Sequence, residues 1–254
     1  MYKRQTLTLT ASQQAAIEAG FSISAADGNS NDGTINWDYT VSESDLNFLA
    51  ADEVVTAVFT ITVNDGKGGS ASEDVTVTIT GSNDVPTLTA TAVTGAITEG
   101  STLSDSGSIA FADLDLTDRP TATEATSSVS AVLADGTTAL TLTGDQQAAI
   151  EDAFSISAAD GNSNDGTINW TYEVLESDLN FLASGEEVTA VFTITVNDGK
   201  GGTASEDVTV TITGSNDVPT LTATAVSVGT SLLPVIVTVT SSLCLLYTSP
   251  SPRD

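Results

Sequence analysis

Residues 192–213 read FTITVNDGKGGTASEDVTVTIT, and the spacing of apolar residues in this stretch decides the fold. Phe192, Ile194 and Val196 alternate with threonines, and past the turn Val208, Val210 and Ile212 do the same. A repeat of two puts the apolar side chains on one face of a strand and the threonines on the other, whereas a helix would need a repeat near 3.6. Between the runs, Asn197-Asp198-Gly199 and the glycines at 201 and 202 tolerate a tight turn. The stretch therefore predicts a β-hairpin with one buried and one Thr-rich face. Upstream, Ile168, Trp170, Tyr172 and Val174 alternate with Asn169, Thr171 and Glu173, which predicts another strand with an aromatic buried side. Burying each Val, Ile or Phe contributes roughly 1.5–3 kcal/mol, so these strands can anchor a core.

The same text occurs twice. Residues 7–93 match residues 140–226 at a constant offset of 133, with 11 differences in 87 positions. The phrase GSNDVP at 81–86 returns at 214–219, and a proline after a Gly/Asn/Asp cluster ends one module and opens the next. Residues 6–84 are thus expected to be the C-terminal part of a first module and residues 85–217 a complete second one. Residues 218–243 would hold the first strand of a third module, corrupted after Val226 where the repeat is lost. Helix is confined to short pieces: Asp145–Glu151, with Asp145 as the expected cap, and a single turn at Ser177–Leu182. Many short strands with Gly/Asn/Asp turns predict an all-β chain of tandem immunoglobulin- or cadherin-like β-sandwich repeats with short helical turns.

Of 254 residues, 34 are acidic, 6 basic and none histidine, for a formal charge of −28. A hydrophobic fraction of 40% is ample for a packed core, so this is not a disordered acidic tail. The charge excludes nucleic acid as a partner. Without His and with one Cys, the Ser/His and Cys/His nucleophile pairs and the usual zinc ligands are missing, and no enzyme is expected. Hard oxygen ligands are plentiful, which points to Ca2+. Residues 1–5 and 244–254 resemble translated sequencing-library adapter and are set aside. That leaves Lys67, Arg119 and Lys200 against 33 acids, and no disulfide is inferred from Cys244. The apolar residues 232–247 are interrupted by Pro234 and fall short of the roughly 20 apolar residues of a membrane span, so no membrane insertion is expected.

The strings INWTY from Ile168, LNFLA from Leu179, FTITVNDGKGGTA from Phe192 and VTITGSNDVP from Val210, together with FADLDLTD at 111–118, resemble the VCBS repeat of large bacterial RTX-type surface adhesins. The resemblance covers nearly all of residues 6–226. It implies an extracellular array of cadherin-like sandwiches, exported from a Gram-negative cell by a type I route, that works in attachment or biofilm formation.

With three bases, few of the 33 carboxylates can have a cationic partner. Following strand direction, the first strand of the complete module leaves the linker and Gly107–Phe111 returns to it, which brings Asp113, Asp115 and Asp118 beside Asn83 and Asp84. Glu43 or Asp45, from the turn after the Trp37 strand, is expected to join them from the preceding module. Calcium takes six to eight such oxygens, and the set resembles the inter-domain calcium site of cadherins. A second junction would use Asn216, Asp217, Glu99, Glu176 and Asp178. Asp198 is more simply a turn residue. Residues 160–166, with their copy at 27–33, depart from calcium-loop spacing and read as a turn. Trp37 and Trp170 read as core rather than as carbohydrate platforms, and Glu43 and Glu176 as surface carboxylates rather than catalytic acids. The expected function is a calcium-stiffened spacer repeat whose partners are the neighbouring modules. The rivals are a module that binds a glycan or a cell-surface protein directly, and an accessory domain of a secreted multidomain hydrolase.

Overall fold

A computed structural model describes residues 7–25, 32–158 and 163–218. The chain divides into two units, Met1–Asp217 and Val218–Asp254. The segments expected to be adapter-derived, and the third-module strand beyond Val218, lie outside the described residues, as do parts of both 27–33 and 160–166.

In chain order the elements are α1 (Ala11–Ala19), β1 (Phe21–Ala25), β2 (Ile35–Tyr39), a 3₁₀ turn (Glu43–Asp45), β3 (Val54–Asn64), β4 (Ser70–Thr80), β5 (Thr87–Ala90), β6 (Thr94–Thr98), β7 (Ser104–Ala112), β8 (Thr121–Val132), α2 (Gly144–Asp152), β9 (Phe154–Ala158), β10 (Asp165–Glu173), α3 (Glu176–Leu179), β11 (Glu187–Asn197) and β12 (Thr203–Thr213). The quoted stretch is the β11–β12 hairpin, paired in unbroken antiparallel register from Glu187–Thr213 to Asn197–Thr203. Alternate residues along β11 are buried, as period two requires.

Residues 85–217 form two four-stranded sheets, ordered β5-β7-β10-β9 and β6-β12-β11-β8. Lettering the strands A, A′, B, C, D, E, F and G in chain order gives sheets ABED and A′GFC, the immunoglobulin-type arrangement with its first strand split between the sheets. The expected single first strand is therefore two: β5 runs antiparallel to β7, and β6 runs parallel to β12. Phe154 stacks on Phe192 across the sandwich at 4.1 Å between ring centroids. Trp170 is fully buried and its Nε1–H donates to the Ala92 carbonyl at 2.8 Å, at the crossing from β5 to β6. Gly107 on β7 makes room for that indole: a Cβ there would lie 2.6 Å from Trp170 Nε1.

Two expectations are corrected. The cap of α2 is Thr143, which forms a capping box with Gln146, and Asp145 instead sits in the first turn, where its charge favours the helix dipole. Trp37 is 50% exposed, unlike its repeat counterpart. Residues 7–80 form only the sheets β1-β2 and β3-β4, so among the described residues no strands equivalent to β5–β8 cover it.

Gly107→Ala should expel the Trp170 indole, with a lower melting temperature and a red-shifted tryptophan emission. Gly185, at φ +83° and with Ala134 Cβ 3.3 Å from its own Cβ position, is a second test. Gly185→Ala should destabilise by about 1 kcal/mol or more in denaturant unfolding.

Candidate metal centre

β7 ends at Ala112 and the chain turns through Asp113–Asp118 before β8. Beside this loop runs the linker Gly81–Pro86 that leads into β5, and the β11–β12 turn closes the third side. Asp84 N–H donates to Asp115 Oδ2 at 2.9 Å, Asn83 Nδ2 donates to Asp198 Oδ2 at 2.8 Å, and Asp115 N–H donates to Asp113 Oδ1 at 3.0 Å. Asn164 pins the loop by donating from Nδ2 to the Asp113 carbonyl at 2.6 Å and accepting from Asp113 N–H at 2.8 Å. Linker and loop thus meet as the strand directions predict, and the hairpin turn joins them through Asp198.

Asp113, Asp115 and Asp118 each place a carboxylate oxygen within 4.8 Å of the others, and their exposures are 3%, 0% and 2%. At that separation each pair of charges repels by roughly 3 kcal/mol at an effective dielectric of about 20. Neutralisation from within is slight. Arg119 turns its Nη1 to the Leu116 carbonyl at 3.0 Å and to the Asp118 carbonyl, leaving Lys200 as the positive charge that acts on Asp118. Asp113 Oδ2, Asp115 Oδ1, both Asp118 carboxylate oxygens and Asn83 Oδ1 are buried without a hydrogen-bond partner. Buried oxygens are rarely left so, and a set of hard oxygens, four from carboxylates and one from an amide, without nitrogen or sulfur fits a calcium-type cation.

Burial pushes Asp115 up to about 6, against the lowering effect of the Asp84 N–H and with Asp118, Asp113 and Asp84 adding to the rise. Burial raises Asp113 and Asp118 as well. Asp198 is different: burial pushes it up, but the Asn83 amide and the N–H groups of Lys200 and Gly202 outweigh that and hold it low. It is also buried, so it adds a stable carboxylate to the centre. Its Asn-Asp-Gly context explained it as a turn residue, which is why the sequence understated it. Glu53, whose charge raises Asp118, carried no sequence signal at all.

Glu43 and Asp45 lie exposed on the 3₁₀ turn and do not join the buried group. The repeat counterpart of Glu43, Glu176, accepts from Gly100 N–H at 3.0 Å and stands near Glu99. In the second set, Glu99, Glu176 and Asp217 interact: Glu99 is buried, accepts from Ser215 N–H at 2.7 Å and leaves Oε1 unpartnered. Burial raises Glu99, and the charges of Asp217 and Glu176 raise it further. Asp178 faces α2 instead, and the Asn216 amide donates to the Asp217 carbonyl at 3.3 Å.

No protein-family model and no curated protein matches the chain. Among solved structures, protocadherin gamma B2 extracellular cadherin domains 1–5 are similar at 13% identity and TM-score 0.35, over 79% of this chain and 32% of that one. The S-layer protein SbsC domains 4 and 5 are similar at 10% identity and TM-score 0.32, over 78% and 72%. The N-terminal Ig1-2 module of Drosophila receptor protein tyrosine phosphatase DLAR is similar at 12% identity and TM-score 0.28, over 54% and 53%. The chain spans about half the length of the DLAR module.

Without cation, a carboxylate near 6 in the folded chain keeps a proton that the unfolded chain releases near 3.8. Its contribution is present at low pH and is lost as pH rises from about 4 through 6. The melting temperature in chelator should fall over that window, and Asp115→Asn should flatten the fall.

Proposed function

We propose that this chain is a non-catalytic spacer repeat of a secreted bacterial surface adhesin of VCBS type, stiffened by calcium at its module junctions. The observation that carries the proposal is the set of five buried, unpartnered oxygens contributed jointly by the linker and by the loop after β7. Asn83, Asp113, Asp115, Asp118 and Asp198 would hold the ion, with Asp84 beside them. A bound dication supplies positive charge that turns mutual carboxylate repulsion into shared attraction. Because the linker contributes Asn83 while the loop contributes the carboxylates, binding there ties linker to sandwich and limits bending between modules. Glu99, Glu176 and Asp217 form the matching half at the opposite end of the module, so each repeat would carry one half-site for each neighbour. Surface display on a Gram-negative cell and type I export follow from the VCBS resemblance. Extracellular calcium is in the millimolar range that sites of modest affinity use.

Calcium at about 100 times its dissociation constant stabilises by about 2.7 kcal/mol. The melting temperature should therefore rise by several degrees with calcium, and small-angle scattering should show a narrower range of conformations. Asp113→Asn combined with Asp115→Asn should abolish the calcium response while raising the melting temperature in chelator, because the repulsion is removed. An unchanged calcium response in that variant would refute the assignment.

A further inference from the structure

The loop after β7 inverts the usual placement of side chains. Asp113, Asp115 and Asp118 are buried, while Leu114 and Leu116 between them are 53% and 39% exposed. A buried carboxylate and an exposed large apolar residue each call for a partner, and this short segment alternates the two. The acids belong to the centre described above. The other side of the loop meets residues 7–80. Leu114 lines a cleft of about 280 Å³ together with Gln13 and Ala16 of α1 and with Asp45, Asn47 and Phe48 in and after the 3₁₀ turn. Leu116 N–H donates to the Phe48 carbonyl at 3.4 Å.

The repeat gives a comparison at this cleft. Phe48 is buried and Asn47 half-buried, whereas their copies Phe181 and Asn180 are half-buried and exposed. At Trp37 and Val63 the order is the reverse, with the first copy about half exposed and Trp170 and Val196 fully buried. The lower exposure of Asn47 and Phe48 is therefore local, and both residues lie against the Leu114 loop. Of the seven residues from 7–80 that line the cleft, six recur unchanged in the second copy, Ser12 against Asp145 being the exception. The repeat itself thus builds the cleft.

We infer that Leu114 and Leu116 are docking residues by which the sandwich of residues 85–217 seats on residues 7–80, in the cleft between α1 and the 3₁₀ turn, and that the loop couples this seat to the cation centre on its other side. The coupling rests on the calcium reading above, and the docking does not. Its physical basis is a balance between like charge and apolar contact. Glu53 acts on Asp118 with like charge, and Asp45 stands in the cleft wall. The acidic loop is therefore repelled by the surface to which its leucines adhere. Positive charge held under the loop removes that repulsion and leaves the apolar contact, so ion binding and docking strengthen each other.

The test uses the full chain with Cys244→Ser and one spin label on each side of the contact, at Val58→Cys and Ser128→Cys, both exposed positions. Electron double resonance reads the spread of the distance between the labels, and calorimetry reads calcium affinity. In chelator, Leu114→Ser with Leu116→Ser should widen the spread beyond that of the parent chain. Ala16→Gln, which fills the cleft from the other side without adding charge, should widen it too. An unchanged spread in either variant overturns the docking. With calcium the parent spread should narrow, and the leucine variant should bind calcium about fivefold or more weakly, because a coupling acts equally in both directions. Equal affinity rules out the coupling. A parent chain that binds no calcium refutes the proposed function and the coupling with it, while the chelator arm still decides the docking. Trp170 emission unchanged from the parent shows that the variants are folded, and the three substituted residues lie outside the core.

Discussion

Three carboxylates, Asp113, Asp115 and Asp118, lie within 4.8 Å of one another where almost no solvent reaches, and one lysine is the positive charge that acts there. Charges so placed repel strongly and lose most of their hydration. A fold that leaves them there at neutral pH needs either protons or a cation, and the surroundings favour a cation. Arg119 is turned toward backbone carbonyls, Asp198 is held ionised by amide donors, and the linker contributes Asn83 Oδ1 rather than a base. The direction of the linker into β5, the shape of the loop after β7 and the placement of the hairpin turn all meet at this one electrostatic problem.

The sandwich that supports the site is held by a different interaction. Phe154, Trp170, Tyr172 and Phe192 form one aromatic cluster between the sheets, and the indole finds its hydrogen-bond acceptor at Ala92, where the first strand crosses from one sheet to the other. Aromatic burial and a satisfied indole N–H together fix how the two halves of the module meet. The repeat provides a comparison within one chain: the cluster has the same geometry in residues 7–84 without its cover.

Much of this was legible from residue order. Period-two alternation gave the hairpin and the Trp strand because a half-buried strand leaves that mark on composition. The GSNDVP phrase at 81–86 marked the break between β4 and β5 because turn residues and proline stop strands. Strand direction alone brought Asn83, Asp84, Asp113, Asp115 and Asp118 together, since an up-and-down path leaves few choices of which end a loop occupies. The misses have equally physical causes. Thr143 outcompetes Asp145 as a cap because Gln146 can close the reciprocal box. The first strand splits because one segment serves two sheets, which a single period cannot reveal.

The sequence by itself determined the all-β class, the repeat, the acidity and the residue types available to a cation, because these depend on local pattern and on counting. Only the tertiary structure decided which carboxylates lose their water. It selected Glu99, Asp113, Asp115, Asp118 and Asp198 and left Glu43 and Asp45 in solvent. Burial and charge spacing are set by contacts between segments far apart in the chain, such as the 115 positions between Asn83 and Asp198, and no local pattern encodes those.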